Sequence, residues 1–377
     1  MSEPLPPSGH AHSRLWLLLL AALAAWQAWL TLALFGGLDA LADDRPLLSG
    51  RHPLHLYHGY LGARSLLERG SLSCFDPAFH AGYPKTPVFD SGSRPAELAL
   101  ALAGGRFCPA SYKIACALLC LLVPFASYLG ARGLGLARGT SVVAVLLSLA
   151  VWWGKPGREA LEAGDIDLLW AAILATAQAG LLVRYHDRAC PLALLGAVAA
   201  GLGGWFAHPL LMLALLPPFM AYYLAAGPKH PTAWHVPLFA GLLLAVAGNA
   251  FWLTELVSYW WVRVPPELDT PLATRSLGGV WRSVLWGGTL DRVIACALLL
   301  VASTGLVVLR LRGQRVGANL LGAMVLGTFL LSVAGLMLDV LGRLGAAQLV
   351  VPALLFACLP SACAVCACLD GLRRAGG

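Results

Sequence analysis

The stretch LDALADDRPLLSGRHPLHLYHGYLGARSLLERGSLSCFDPAFHAGYPKTPVFDSGSRPAE, residues 38–97, decides how the rest of the chain is read. It is polar and rich in His, Asp, Gly and Pro, and it stands between two long apolar runs, 14–35 and 111–131. A run of about 20 apolar residues crosses a bilayer as a helix, because no water is there to satisfy a free backbone amide. The polar stretch is therefore a loop held at both ends by a membrane. A loop this long is uncommon unless it carries a function. Its aromatics Phe75, Phe79, Tyr83 and Phe89 argue against a disordered linker.

Hydrophobic residues make up 59% of the 377 and charged residues only 12%. A soluble domain carries roughly a quarter charged residues, so this chain cannot cover a water-facing surface. Ten apolar segments can be marked: 14–35, 111–131, 139–154, 166–183, 190–207, 209–226, 234–256, 291–311, 316–338 and 345–369. The class expected is an all-α integral membrane protein with about ten transmembrane helices. Segment 14–35 is too long for the core of a cleaved signal peptide and reads as a retained first helix.

With the N-terminus cytoplasmic, every inner connection is short and basic. These connections hold Arg14, Arg132, Arg138, Arg184, Arg188, Lys229, Arg310, Arg312, Arg315, Arg373 and Arg374. All acids except Glu3, Asp187 and Asp370 then face out. The net charge of +7 is thus a topology signal and excludes nucleic acid as the expected partner. The organisation that follows is a cytoplasmic tail 1–13, a membrane domain 14–369 and a cytoplasmic tail 370–377. The membrane domain has long outer loops at 36–110 and 257–290. Most of the ten Cys lie in apolar runs, where Cys acts as a small hydrophobe. Cys74 and Cys108 are either one extracytoplasmic disulfide or two unrelated thiols.

Within the first loop, Asp43 and Asp44 sit close to the membrane surface. Such a pair can take a proton from a hydroxyl, ligate a hard cation, or simply end a helix. Pro53 and Gly70 bracket a helix over HPLHLYHGYLGARSLLERG, with His52, His55, Gly59 and Gly62 on one face and Leu54, Tyr57, Leu61 and Leu67 on another. It reads as an amphipathic surface helix whose imidazoles and small residues face something close. His52, His55 and His58 do not form a metal signature by spacing. Residues 71–98 read as turn-rich, with Asp76-Pro77 and Ser93-Arg94-Pro95 as turns, folded as a cap over a cavity. In the second outer loop, Lys155, Arg158, Glu159, Glu162, Asp165 and Asp167 make either a site for a lipid phosphate or an ordinary charged turn. His208 is either an interfacial cap or a cavity residue. Asn249 and Glu255 are the polar groups of one late span. The last long loop sets Arg263, Glu267, Asp269, Arg275, Arg282 and Asp291 among Trp260, Trp261, Trp281 and Trp286.

The order of these pieces resembles the GT-C membrane glycosyltransferases. The nearest likeness is to the bacterial multi-span proteins described as 6-pyruvoyl-tetrahydropterin synthase-related membrane proteins, and to the neighbouring lipoteichoic-acid glycosylation type. The pieces are a first span, an acidic residue soon after it, the helix at 52–69, Gly70 to Pro77, and Gly82-Tyr83-Pro84 leading to the next span. The resemblance covers residues 14–110. It implies an inverting enzyme of the bacterial inner membrane that moves a sugar from a polyprenyl-phosphate donor to a lipid or glycan acceptor on the outer face. It gives the role of base to Asp44, assisted by Asp43, with His52 and His55 lining the site. Asp76, Arg94, Lys155, Arg158, Glu159 and His208 are the further candidates for binding substrate. Some members use a divalent cation and others do not, so a metal stays open. Members usually run to more spans and often end in an extracytoplasmic domain, whereas this chain has about ten. The rival readings are a non-enzymatic transporter, which needs ionisable groups at mid-membrane, and a structural subunit whose outer loops dock a protein partner.

Overall fold

The computed structural model describes residues 8–79, 82–88, 90, 92–259, 289–338, 341 and 345–375. The fold is helical. Helix α1 (Ser8–Phe35) enters the bilayer, and α2 (Leu38–Ala42) and α3 (His52–Arg69) follow in the first loop. A two-stranded hairpin, β1 (Cys74–Asp76) against β2 (Tyr83–Lys85), and α4 (Arg94–Leu102) complete that loop. Next come α5 (Pro109–Gly133), α6 (Arg138–Trp153), the short α7 (Lys155–Ala163), α8 (Ile166–Arg188) and α9 (Pro191–Ala207). They are followed by α10 (Pro209–Ala214), α11 (Leu216–Ala226), α12 (Thr232–Ala247) and α13 (Ala250–Tyr259). The last long helices are α14 (Thr289–Leu311), α15 (Arg315–Met337) and α16 (Val350–Ala375).

The apolar segments of the sequence are helical, with 209–226 and 234–256 each divided between two helices. Among the described residues, seven helical segments are long and apolar enough to cross a membrane. The bent pair α12 and α13, 67° apart, makes an eighth when counted as one span. The other two, α6 and α9, have 16 and 17 residues. At 1.5 Å per residue each falls short of a hydrocarbon core of about 30 Å. The bend between α12 and α13 has a chemical cause. Asn249 donates to the carbonyls of Leu202 and Ala245 and accepts from the Trp252 indole, so the break leaves the backbone satisfied inside the bundle.

With 89% of its apolar window enclosed by protein the segment 346–375 is one axis of the bundle, and with 83%, against 11% for α1, helix α8 is the other. It packs on α5 and α9, while α14 and α15 close around α16. Two expectations for the first loop change. Residues 71–98 are not all irregular, because the hairpin pairs Phe75 with Pro84. Ser93-Arg94-Pro95 is not a free turn. Ser93 precedes α4 and Pro95 lies in its first turn, where a missing N–H costs nothing. Cys74 and Cys108 are free thiols; Cys74 Sγ contacts the Leu61 carbonyl and Cys108 lies beside Ser111. The charged run after Trp153 is the helix α7 rather than a turn. Residues 260–288, with the four Trp and most of the charges of the last long loop, lie outside the described residues.

Candidate functional site

Helix α3 is amphipathic in an unusual sense. Its imidazole and glycine face is the buried one, with His52, His55, His58, Gly59 and Gly62 inside, while Leu54 and Leu67 are exposed. The glycines set the distance to α4. A Cβ on Gly59 would lie 2.8 Å from the Ala96 Cβ, and one on Gly62 would lie 2.6 Å from Glu97 Oε1.

Under this face is a cluster of buried charges. Lys85 pairs with Glu97 and also donates to the Leu72 carbonyl at 3.1 Å. Arg94 reaches Glu97 at 2.6 Å, the Asp90 carbonyl at 2.9 Å and the Asp90 carboxylate at 3.6 Å. Its guanidinium lies over Trp252 of α13, 5.4 Å from the ring centre. His58 Nδ1 is 3.3 Å from Asp90 Oδ2, and its ring is stacked on Tyr83. All four charged side chains are essentially without solvent contact. Burial pushes Glu97 up and Lys85 down, each towards its neutral form. For Asp90, burial works upward but is outweighed by the His58 imidazole and the Arg94 charge, so its carboxyl stays low.

His55 is held by a directed chain. Ser93 Oγ donates to Asp90 Oδ1 at 2.7 Å, so it accepts from His55 Nδ1 at 2.8 Å. That fixes the proton on Nδ1 and leaves Nε2 a bare acceptor, with no partner among the described residues. Burial presses the His55 imidazole down to about 4. On the far side of Gly92 lies Asp167: a Cβ on Gly92 would be 3.1 Å from its Oδ2 and 3.2 Å from His55 Cε1. His208 completes this corner. Its Nδ1 accepts from the Leu211 amide at the start of α10, and its Nε2 faces Asp167 Oδ2 at 3.8 Å. Of the two roles between which the sequence left the choice open, the helix cap is the one its hydrogen bond to Leu211 fills.

The loop is tied to the bundle at a second edge. Arg51 pairs with Asp165, and His52 bridges the Tyr112 hydroxyl and the Leu161 carbonyl, each at 2.8 Å. Asp43 is half-buried and paired with Lys113 on α5, which holds its carboxyl below the usual range. Asp44 is exposed next to it. Lys155 and Arg158 sit on the exposed side of α7, paired one turn away with Glu159 and Glu162. Exposed pairs of this kind are weak. Asp76 accepts from Tyr57 and from the Ala78 amide at the hairpin.

The structure thus brings His52, His55, Arg94 and His208 into one buried neighbourhood, whereas Asp76, Lys155, Arg158 and Glu159 are at its rim. Sequence reasoning gave no role to Lys85, Asp90 or Glu97, and took Asp167 only as one of the charges of the second outer loop. For Asp167 a signal existed: it is the second residue of α8, so its carboxylate sits at the mouth of one of the bundle's central helices.

The titrations give a direction for acid. As pH falls from 6.5 towards 4, an unfolded loop takes up a proton that folded His55 refuses, so stability is lost in that window. Buried His52 and low Asp90 act in the same sense, and Glu97, raised by burial, acts against them. A shift of this size corresponds to about 3 kcal/mol for His55 alone. Hydrogen exchange of residues 52–97 between pH 7 and pH 4 should show the loss, and His55→Asn should shrink it. Equal acid sensitivity in the two proteins would remove His55 as the cause.

No protein-family model and no curated protein sequence matches the chain. Solved structures do. The oligosaccharyltransferase of Archaeoglobus fulgidus in its apo form aligns with a TM-score of 0.55 at 15% identity, over 94% of this chain and 51% of the other. The same enzyme tethered to an acceptor peptide with an NVT sequon gives 0.54 at 16% identity, over 94% and 50%. AglB from that organism, in complex with an inhibitory peptide and a dolichol-phosphate, gives 0.53 at 14%, over 94% and 51%. The chain spans about half the length of these structures. At such identities the likeness is one of fold: this is a helical membrane protein whose fold resembles that part of the oligosaccharyltransferase structures which the alignment covers.

Proposed function

We propose that the chain is a membrane glycosyltransferase that moves a sugar from a polyprenyl-phosphate donor to a lipid or glycan acceptor at the first-loop face of the bundle. The observation that carries this reading is the Asp43–Lys113 pair, set where the first loop leaves the membrane in a chain whose fold resembles that of the oligosaccharyltransferase. Lys113 neutralises Asp43 and anchors it, so Asp43 positions the loop. Asp44, beside it and exposed, is the base. It takes the proton from the acceptor hydroxyl as the oxygen attacks the anomeric carbon. The bond from that carbon to the lipid phosphate breaks on the opposite side, and the phosphate leaves with the electron pair. Inversion at the anomeric carbon follows. Lys155 and Arg158 lie on the exposed face of α7 and are the cations offered to the leaving phosphate. The solved neighbour's complex with dolichol-phosphate supports the lipid class of donor. The bacterial inner membrane, with both termini cytoplasmic, is the location that goes with this reading.

The test is transfer from mixed radiolabelled polyprenyl-phosphate sugars by purified protein in lipid. Asp44→Asn should lower the rate about a hundredfold, the worth of one general base. Asp43→Asn should lower it less and loosen the loop. No transfer by the wild type with any donor would end the enzyme reading. Transfer indifferent to both changes would keep the enzyme and discard this base.

A further inference from the structure

The end of the bundle opposite the first loop carries a second arrangement. Asp167 and His186 are 19 residues apart on α8, or about 28 Å along its axis. Between these ends a cavity of about 270 Å³ opens on the side of the bundle. Its floor is α8 (Leu182) and α9 (Ala197, Gly201), and its walls are α11 (Phe219) and α12 (Phe239, Leu242). Phe239, Leu242 and Met220 are exposed at its rim, so it opens sideways into the hydrocarbon.

The cavity does not end in apolar residues. Tyr223 lines it, contacts Phe239 edge-on, and turns its hydroxyl to His235 Nδ1 at 3.1 Å. His235 Nε2 faces the His230 carbonyl at 3.3 Å, and His230 is stacked on Trp234 with ring centres 4.4 Å apart. His230 Nε2 and His186 Nδ1 are hydrogen-bonded at 2.7 Å, which ties the end of α8 to the start of α12. Lys229 is exposed here and its charge bears on both imidazoles. Arg184 and Arg188 end α8 on the same side of the bundle. Among the described residues no carboxylate pairs with Lys229, Arg184 or Arg188, and Asp187 lies 4.0 Å from His186.

Cations alone at this end are explained by topology. What topology does not explain is an open apolar groove that runs through a tyrosine and a chain of imidazoles to Lys229. We propose that this groove binds an anionic phospholipid, one hydrocarbon chain lying along α9 between α11 and α12 and the phosphate held at Lys229, with Arg184 and Arg188 adding positive potential at the same end of the bundle. Basic pockets between membrane helices bind such headgroups, and each nearby cation adds to the preference. The occupant is a lipid rather than a protein segment because the groove opens to hydrocarbon and ends at the level of a headgroup. It is not the proposed donor's reacting end, which is at the other face, so this site can fail while the glycosyltransferase reading stands, and the reverse.

The experiment is lipid retention by delipidated full-length protein in detergent, read by native mass spectrometry, with thermal unfolding alongside. Phosphatidylglycerol should be retained at least about tenfold better than phosphatidylcholine of the same chains. The Arg184→Gln, Arg188→Gln, Lys229→Gln triple variant, all at exposed or half-exposed positions, should lose that preference and keep the basal midpoint. Ala197→Phe, which fills the groove, should lower retention of both lipids. Inorganic phosphate should not shift the midpoint. Equal retention of the two lipids by the wild type, or an unchanged preference in the triple variant, overturns the proposal. So does a shift by inorganic phosphate equal to that of phosphatidylglycerol, since a free-anion site has no use for the groove.

Discussion

Arg94→Met should unfold the first loop while the transmembrane bundle stays assembled. Arg94 is fully buried and is the shared cation of Asp90 and Glu97, so its removal leaves two enclosed carboxylates with only Lys85 between them. Breaking a buried pair on one side costs about 3–5 kcal/mol, more than an exposed pair contributes, because the orphaned charge has been taken out of water. The loss is local, because what these charges join is local. Lys85 brings in β2 and the Leu72 carbonyl, Asp90 brings in His58 and Ser93, and Trp252 is the contact with the bundle. Limited proteolysis should cut Arg94→Met within residues 71–93 at protease levels that spare the wild type, with the detergent-solubilised protein still monodisperse. Arg94→Met combined with Glu97→Leu should recover part of the stability, since it removes one stranded acid with its cation. Wild-type resistance in the single variant would show that the cluster does not hold the loop. Arg94 is a candidate for binding substrate in the sequence; in the fold it is fully buried and its Nη2 is held by Asp90 and Glu97, so its variants should be read in stability before they are read in rate.

How far the sequence reached can be argued from the same residues. The face of α3 was legible because helical periodicity puts His52, His55, Gly59 and Gly62 together, and burial then follows from the two small residues. That this polar face points inward follows from its partners, and those were hidden. Lys85 and Glu97 are 12 residues apart across a hairpin strand and a helix, and no period links them. Their pairing is a product of the chain's path through Pro84 and Pro95, which reads only as turns. Asp167 was hidden for another reason. It was counted with the charges of a loop, but α8 starts at Ile166, so it belongs to a span and not to the loop before it. The spans themselves were legible from composition, since an apolar run of sufficient length has one way to satisfy its backbone in lipid. The bend at Gly248-Asn249 was not, because it depends on the carbonyls of Leu202 and Ala245 being within reach of one amide.

Gly180→Leu should prevent assembly of the bundle. Helices α5 and α8 cross backbone against backbone: a Cβ on Gly180 would fall on the carbonyl oxygen of Gly130, and one on Gly133 would fall on the backbone of Gly180. A flexible side chain could move aside, but a carbonyl inside a helix cannot move without displacing the helix. Close crossings at small residues are also what hold membrane helices together, since hydrocarbon gives no hydrophobic force between them. Overpacking in a tight core typically costs about 1–3 kcal/mol, and a clash with backbone at an enclosed crossing belongs above that range. The effect should reach the candidate site. Helix α8 carries Asp167 at one end and His186 at the other, and α5 carries Tyr112 and Lys113, the partners of His52 and Asp43. A shift of one helix against the other would therefore separate the groups that face each other across the loop. The comparison is Gly371→Leu, at a position with nothing within 4 Å of the added Cβ, which should leave yield and thermal midpoint unchanged. Gly180→Leu should give little or no monodisperse protein in mild detergent. If it is recovered with the wild-type midpoint, the two helices are not in backbone contact at this crossing, and the placement of Tyr112 and Lys113 under the first loop loses its support.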